Sequence, residues 1–105
     1  MTQQSGQPIL FTMRIKTAKW ENLKKANDEV LAEVMDKARE FGLISSKVYR
    51  SEADPNDVLF VMEWRSHEDM HRFGDEVGDK FNEVAGAKPE DREDTSWALS
   101  DARSF

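Results

Sequence analysis

The chain has 105 residues, 34% of them charged, no cysteine and a formal net charge of −6. That length suits one domain with a modest core, which a partner subunit would help to cover. The absence of cysteine excludes disulfides, thiolate metal sites and cysteine nucleophiles, and fits a cytoplasmic setting. Residues 1–51 carry nine Lys/Arg against six Asp/Glu, and residues 52–105 carry six against fifteen, so there is no basic footprint for nucleic acid. No apolar run approaches the roughly 18 residues that a membrane helix needs.

Residues 1–8, MTQQSGQP, are polar and include Gly6 and Pro8. They read as a disordered N-terminal tail, with neither the basic end nor the apolar stretch of a signal peptide. The domain is expected over residues 9–100, with 101–105 as a C-terminal tail. ILFTMRIK, residues 9–16, sets Ile9, Phe11, Met13 and Ile15 on one face and Leu10, Thr12, Arg14 and Lys16 on the other, a period-two strand. Residues 18–41 lack Pro and Gly. Leu23, Ala26, Val30, Val34, Ala38 and Phe41 recur there at helical spacing, which predicts an amphipathic helix that Gly42 stops.

Residues 45–53 read as a second strand, DPND (54–57) as a turn and VLFVMEW (58–64) as a third strand. Ser66 and Asp69 form a capping box that opens a second helix over residues 67–85. Its core face is Met70, Phe73, Val77, Phe81 and Val84, and Gly74 and Gly78 thin it. GAKPEDRED (86–94) reads as an acidic loop and TSWALS (95–100) as a fourth strand. The order β-α-β-β-α-β is the ferredoxin-like arrangement, an α+β antiparallel sheet with two helices on one face. Both faces of the third strand are apolar: Val58, Phe60, Met62 and Trp64 on one, Leu59 and Val61 on the other. Helices cover one face only, so the other face asks for a second copy and predicts a homodimer through the sheet. The alternative is a monomer with a partly wet sheet.

HEDMH, residues 67–71, matches the zinc pattern H-E-x-x-H. Ser66 as cap places His67 at the electropositive first turn, which disfavours a cation. The chain has only two histidines, whereas catalytic zinc takes three protein ligands and a water. No metal site is expected. At about 100° per residue, His67, His71, Gly74 and Gly78 share one flank of the helix.

GLISSKVYRSEADPNDVLFVMEWRSHEDMHRFGDE is similar to the middle of the antibiotic biosynthesis monooxygenase domain, part of the dimeric α/β-barrel superfamily. Gly42–Leu43, Val48–Tyr49–Arg50, Asp54–Pro55, Glu63–Trp64, Ser66 and Phe73 carry the resemblance. It implies paired ferredoxin-like subunits, each with a pocket between sheet and helices. Enzymes of the family oxidise small aromatic or polyketide-like molecules with oxygen and no metal or organic cofactor. Trp64 resembles the tryptophan near the end of strand three in the polyketide-oxidising branch. The haem-degrading branch expects a histidine late in helix two, where KFNEV (80–84) has none.

Such chemistry needs an apolar pocket with a base or a cation beside a phenol. Candidate walls are Phe11, Phe60, Met62, Trp64, Phe73 and Trp97. Candidate substrate-binding residues are Trp64, Tyr49, Arg50, Arg14, Phe60 and Phe73. His71 and His67 are candidate catalytic bases, and an arginine suits a phenolate or an oxygen anion. Two readings stay open: a cofactor-independent monooxygenase, and a non-enzymatic small-molecule-binding or structural homodimer of the same fold.

Overall fold

The computed structural model describes residues 7–16, 30–85, 88–99 and 102–104. Its elements are β1 (Ile9–Ile15), α1 (Val30–Phe41), β2 (Leu43–Arg50), β3 (Val58–Trp64), α2 (His67–Ala85), a short 3-10 turn (Pro89–Asp91) and β4 (Arg92–Ala98). The expected first half of the first helix, residues 18–29, lies outside the described residues, as does most of the expected N-terminal tail. The four strands form one antiparallel sheet in the order β2-β3-β1-β4. This is the β-α-β-β-α-β, ferredoxin-like layout.

One parity of the sheet builds the core. Phe11, Met13 and Ile15 on β1 and Val58, Phe60, Met62 and Trp64 on β3 are buried, together with Val34 and Ala38 of α1 and Phe73 and Phe81 of α2. Phe60 meets Phe81 edge-on at 5.1 Å between ring centroids, and Trp64 meets Phe73 at 5.3 Å. Each such aromatic pair adds about 0.5–1.5 kcal/mol beyond its buried area. The opposite parity carries Leu10, Val61, Tyr49, Leu59 and Trp97, of which the last three are exposed. The strand that is apolar on both sides therefore has one face in the core and one on the outer side of the sheet.

Local chemistry sets the element ends. The Asp69 amide donates to Ser66 Oγ at 3.1 Å, so the expected cap forms. Gly42 ends α1 with φ +127°, and a Cβ built there would lie 2.6 Å from Asp69 Oδ2. No L-residue takes that backbone without strain, so Gly42 sets how α1 ends against the start of α2. In the β2–β3 turn the Asn56 amide donates to Asp54 Oδ1 and the Asp57 amide to the Asp54 carbonyl. β2 starts two residues before its expected position and carries a bulge between Leu43 and Ser45.

β4 also differs from expectation. It runs from Arg92 to Ala98 rather than over 95–100, so the end of the acidic stretch is strand, not loop. Its helix-side residues Arg92, Asp94, Ser96 and Ala98 pair with Ile15, Met13, Phe11 and Ile9. They are polar or small, and Asp94, Ser96 and Ala98 are exposed. α1 packs on α2 and β2, and α2 reaches β3. Among the described residues α2 meets β4 at the Asn82–Arg92 hydrogen bond, and a gap lies between them beside Asp94 and Ser96.

Candidate functional site

The gap has an inner and an outer part. The inner part is a cavity of about 40 Å³, walled by Phe11 and Met13 of β1, Met62 and Trp64 of β3, Met70, Phe73, Gly74, Gly78 and Phe81 of α2, and Arg92 of β4. It has room for roughly three water-sized groups. The outer part is an open cleft of about 300 Å³. Its walls are His67, His71 and Asp75 on α2, and Arg92, Asp94 and Ser96 on β4, with Phe11, Met70 and Gly74 between them. Phe11, Met70, Gly74 and Arg92 belong to both parts, so the two adjoin.

Trp64 is the chemically distinctive wall. Its side chain is fully buried, and Nε1 has no hydrogen-bond partner. Burying an amide-like donor unpaired costs about 1–3 kcal/mol, so such groups are uncommon in native interiors. The glycines add a second departure from plain packing. A Cβ at Gly74 or Gly78 would meet nothing within 4 Å. Each glycine in a helix interior costs about 0.8–1.0 kcal/mol relative to alanine, and no tight contact here requires one.

Arg92 supplies the cation. Its Nε donates to Asp94 Oδ1 at 2.7 Å and Oδ2 at 3.0 Å, and its Nη1 donates to Asn82 Oδ1 at 2.6 Å. A strand neighbour and a helix residue therefore fix the guanidinium where cavity and cleft meet. Arg92 and Asp94 lie in the stretch expected to be an acidic loop, and neither was among the candidate site residues. The signal was present: R-E-D-T-S-W-A alternates, with Glu93, Thr95 and Trp97 on one parity and Arg92, Asp94 and Ser96 on the other. An inner face made of polar residues does not look like one.

The candidate residues are divided by the sheet. Trp64 and Phe73 share the cavity wall. His67 and His71 lie side by side with ring centroids 4.5 Å apart, exposed on the rim of the cleft. Phe60 is buried against Phe81 in the same core but does not line the cavity. Arg50 ends β2 opposite Val58, away from both parts of the site. Arg14, Tyr49 and Trp97 lie on the other face of the sheet. Arg14 makes a bidentate pair with Asp57, at 3.0 and 2.7 Å. The hydrogen bond and charge of Asp57 raise the Arg14 pKa, and the Arg14 hydrogen bond lowers that of Asp57. Trp97 Nε1 donates to Thr12 Oγ1 at 3.0 Å. No group of three or more His, Asp or Glu arranged to hold a metal ion occurs among the described residues.

Fold and site together describe a ferredoxin-like domain with an apolar cavity between its sheet and second helix. Solved structures share this architecture. A monooxygenase from Streptomyces coelicolor, solved with the ligand nanaomycin D, superposes with a TM-score of 0.68 at 14% identity, over 97% of this chain and 96% of that one. A Nitrosomonas europaea protein assigned as an antibiotic biosynthesis monooxygenase gives 0.67 at 14% identity, over 97% and 100%. A dimeric ferredoxin-like protein from an uncultured marine organism gives 0.65 at 16% identity, over 94% and 91%. At these identities the likeness is one of fold. It agrees with the resemblance to the antibiotic biosynthesis monooxygenase domain read from residues 42–76. No family model and no curated protein matches the sequence.

Proposed function

We propose that this chain forms a homodimer whose subunits each bind a small aromatic or polyketide-like molecule between α2 and the sheet and oxidise it with dioxygen, with no metal or organic cofactor. The observation that carries this reading is Trp64, a fully buried indole in a cavity wall whose Nε1 has no partner. In this reading its N–H donates to a substrate oxygen as that oxygen becomes anionic. Arg92, its charge balanced by Asp94, offers its remaining guanidinium N–H groups at the mouth of the cavity. His71 or His67 takes the phenol proton at the rim, a role suited to imidazole near neutral pH. The substrate anion is the reductant. For a phenol with a free para position, the ring carbon gains one oxygen atom as a carbonyl, its hydrogen is lost, and the second oxygen atom leaves as water. Fixed donors in an apolar site stabilise the developing oxyanion far better than water does.

The homodimer reading rests on the outer sheet face. Tyr49, Leu59 and Trp97 are 50%, 37% and 53% exposed there, flanked by Leu10 and Val61. A second copy of the same face would cover them, and a neighbour of the same fold is dimeric. Leu59→Asp places a charge in that surface and is expected to yield monomers by analytical ultracentrifugation; a wild-type protein that sediments as a monomer contradicts the dimer. The exposure of both imidazoles favours a second reading, a non-enzymatic small-molecule-binding or structural homodimer. An oxygen electrode separates the two: 1-naphthol drives uptake above the buffer rate if the protein is an oxygenase, whereas binding without uptake supports the second reading.

A further inference from the structure

The outer cleft differs in chemistry from the inner cavity, and that difference bears on what the ligand carries. Asp75 lines the cleft and has no ion-pair or hydrogen-bond partner among the described residues. The cation of the cleft, Arg92, already has its Nε on the Asp94 carboxylate and Nη1 on Asn82. With Arg92 and Asp94 mutually neutralised, the charge left over in the cleft is the Asp75 carboxylate. The helix wall strengthens this. α2 carries six acidic residues against Arg72 and Lys80, and those two cations already face Asp69 and Glu33. A wall of one sign focuses the field in a cleft and concentrates ligands of the opposite charge there. The inner cavity, by contrast, has apolar walls, among them Trp64, whose buried Nε1 is unpartnered. Its volume of about 40 Å³ admits only part of a ring. The body of a ligand must therefore lie where cavity and cleft adjoin, over Gly74, whose missing side chain leaves that space open.

We infer that the site selects aromatic molecules bearing an oxygen at one end and a protonated amine on a short chain at the other, with the oxygen towards Trp64 and the amine towards Asp75. This rests on the pocket reading above and adds its charge preference. Asp75 is exposed, so the amine preference is modest and salt-sensitive.

Three probes with one phenol and different tails test this: tyramine, 4-ethylphenol and 3-(4-hydroxyphenyl)propionate, titrated calorimetrically at low ionic strength near pH 8 against wild type and Asp75→Asn. Tyramine is expected to bind wild type roughly three- to fivefold more tightly than 4-ethylphenol, and the propionate more weakly than either. Added salt narrows the spread, and Asp75→Asn removes the tyramine advantage while leaving 4-ethylphenol unchanged. Binding of 4-ethylphenol with no preference for tyramine, or with a preference for the propionate, overturns the inference and leaves the pocket reading standing. A tyramine preference that survives in Asp75→Asn overturns the assignment to Asp75. Failure of all three probes to bind removes the pocket reading and this inference together.

Discussion

Replacing Trp64 with Phe separates the packing of this side chain from its N–H. The indole is fully buried against Phe73, at 5.3 Å between centroids, with Met62 beside it in the cavity wall. Phenylalanine keeps the six-membered ring and removes the equivalent of two to three methylene groups, a loss of about 2 kcal/mol at ~0.8 kcal/mol each. The same change deletes an unpaired buried donor and relieves about 1–3 kcal/mol. The two effects nearly cancel, so Trp64→Phe is expected to fall within about 1 kcal/mol of wild type in urea denaturation. Ligand binding has no such compensation. A phenolate that accepts the Trp64 N–H loses a charge-assisted hydrogen bond worth about 1.5–3 kcal/mol, so affinity for 1-naphthol is expected to fall roughly 10- to 100-fold. Destabilisation well beyond 2 kcal/mol together with unchanged naphthol affinity refutes the reasoning, because the N–H then serves the fold and not a ligand.

Gly42→Ala places a Cβ 2.6 Å from Asp69 Oδ2 at a φ of +127°, and thermal unfolding is expected to show a loss of more than about 2 kcal/mol, well above an ordinary surface change. Gly78→Ala adds a methyl group that meets nothing; it is expected to raise stability by about 0.8–1.0 kcal/mol while weakening naphthol binding, the reverse of a packing defect. The Arg14–Asp57 pair holds Asp57 below the ordinary carboxylate range, chiefly through the Arg14 hydrogen bond. Its stabilisation is therefore full above the unfolded aspartate pKa and disappears as pH falls through the lowered folded value. Asp57→Asn is expected to flatten that acid limb of the stability profile and to leave ligand affinity unchanged, since the pair lies across the sheet from the cavity.

The elements that were legible from sequence are those that carry a clear apolar run or a cap. β3 and α2 appear at their expected bounds because VLFVMEW and the Ser66–Asp69 cap are unambiguous local signals. The two-sided greasiness of β3 was legible for the same reason, and it marked the outer face. β4 was displaced because its inner residues face an opening and not a helix, so Arg92, Asp94 and Ser96 lack the apolar mark of an inner face. That cause also hid Arg92: the strand looks like a loop where it lines the site. Parity alone separates Arg14 from Phe11 and Met13, and register puts Tyr49 beside Leu59 on that same outer face. Their grouping with Trp64 reflected residue chemistry, which carries no information about the side of the sheet. The histidines share one helix face as their spacing implies, and only the position of the gap shows that this face borders a cleft.

Isotopically labelled dioxygen tests the central claim most directly. Chelator-treated protein is incubated with 1-naphthol under labelled oxygen, and the quinone and water are analysed by mass spectrometry. The expected result is one labelled oxygen atom in the new carbonyl and one in water, with formation slowed at least about tenfold in Trp64→Phe. Naphthol that binds the protein and is recovered unlabelled, at the rate seen in buffer alone, contradicts it.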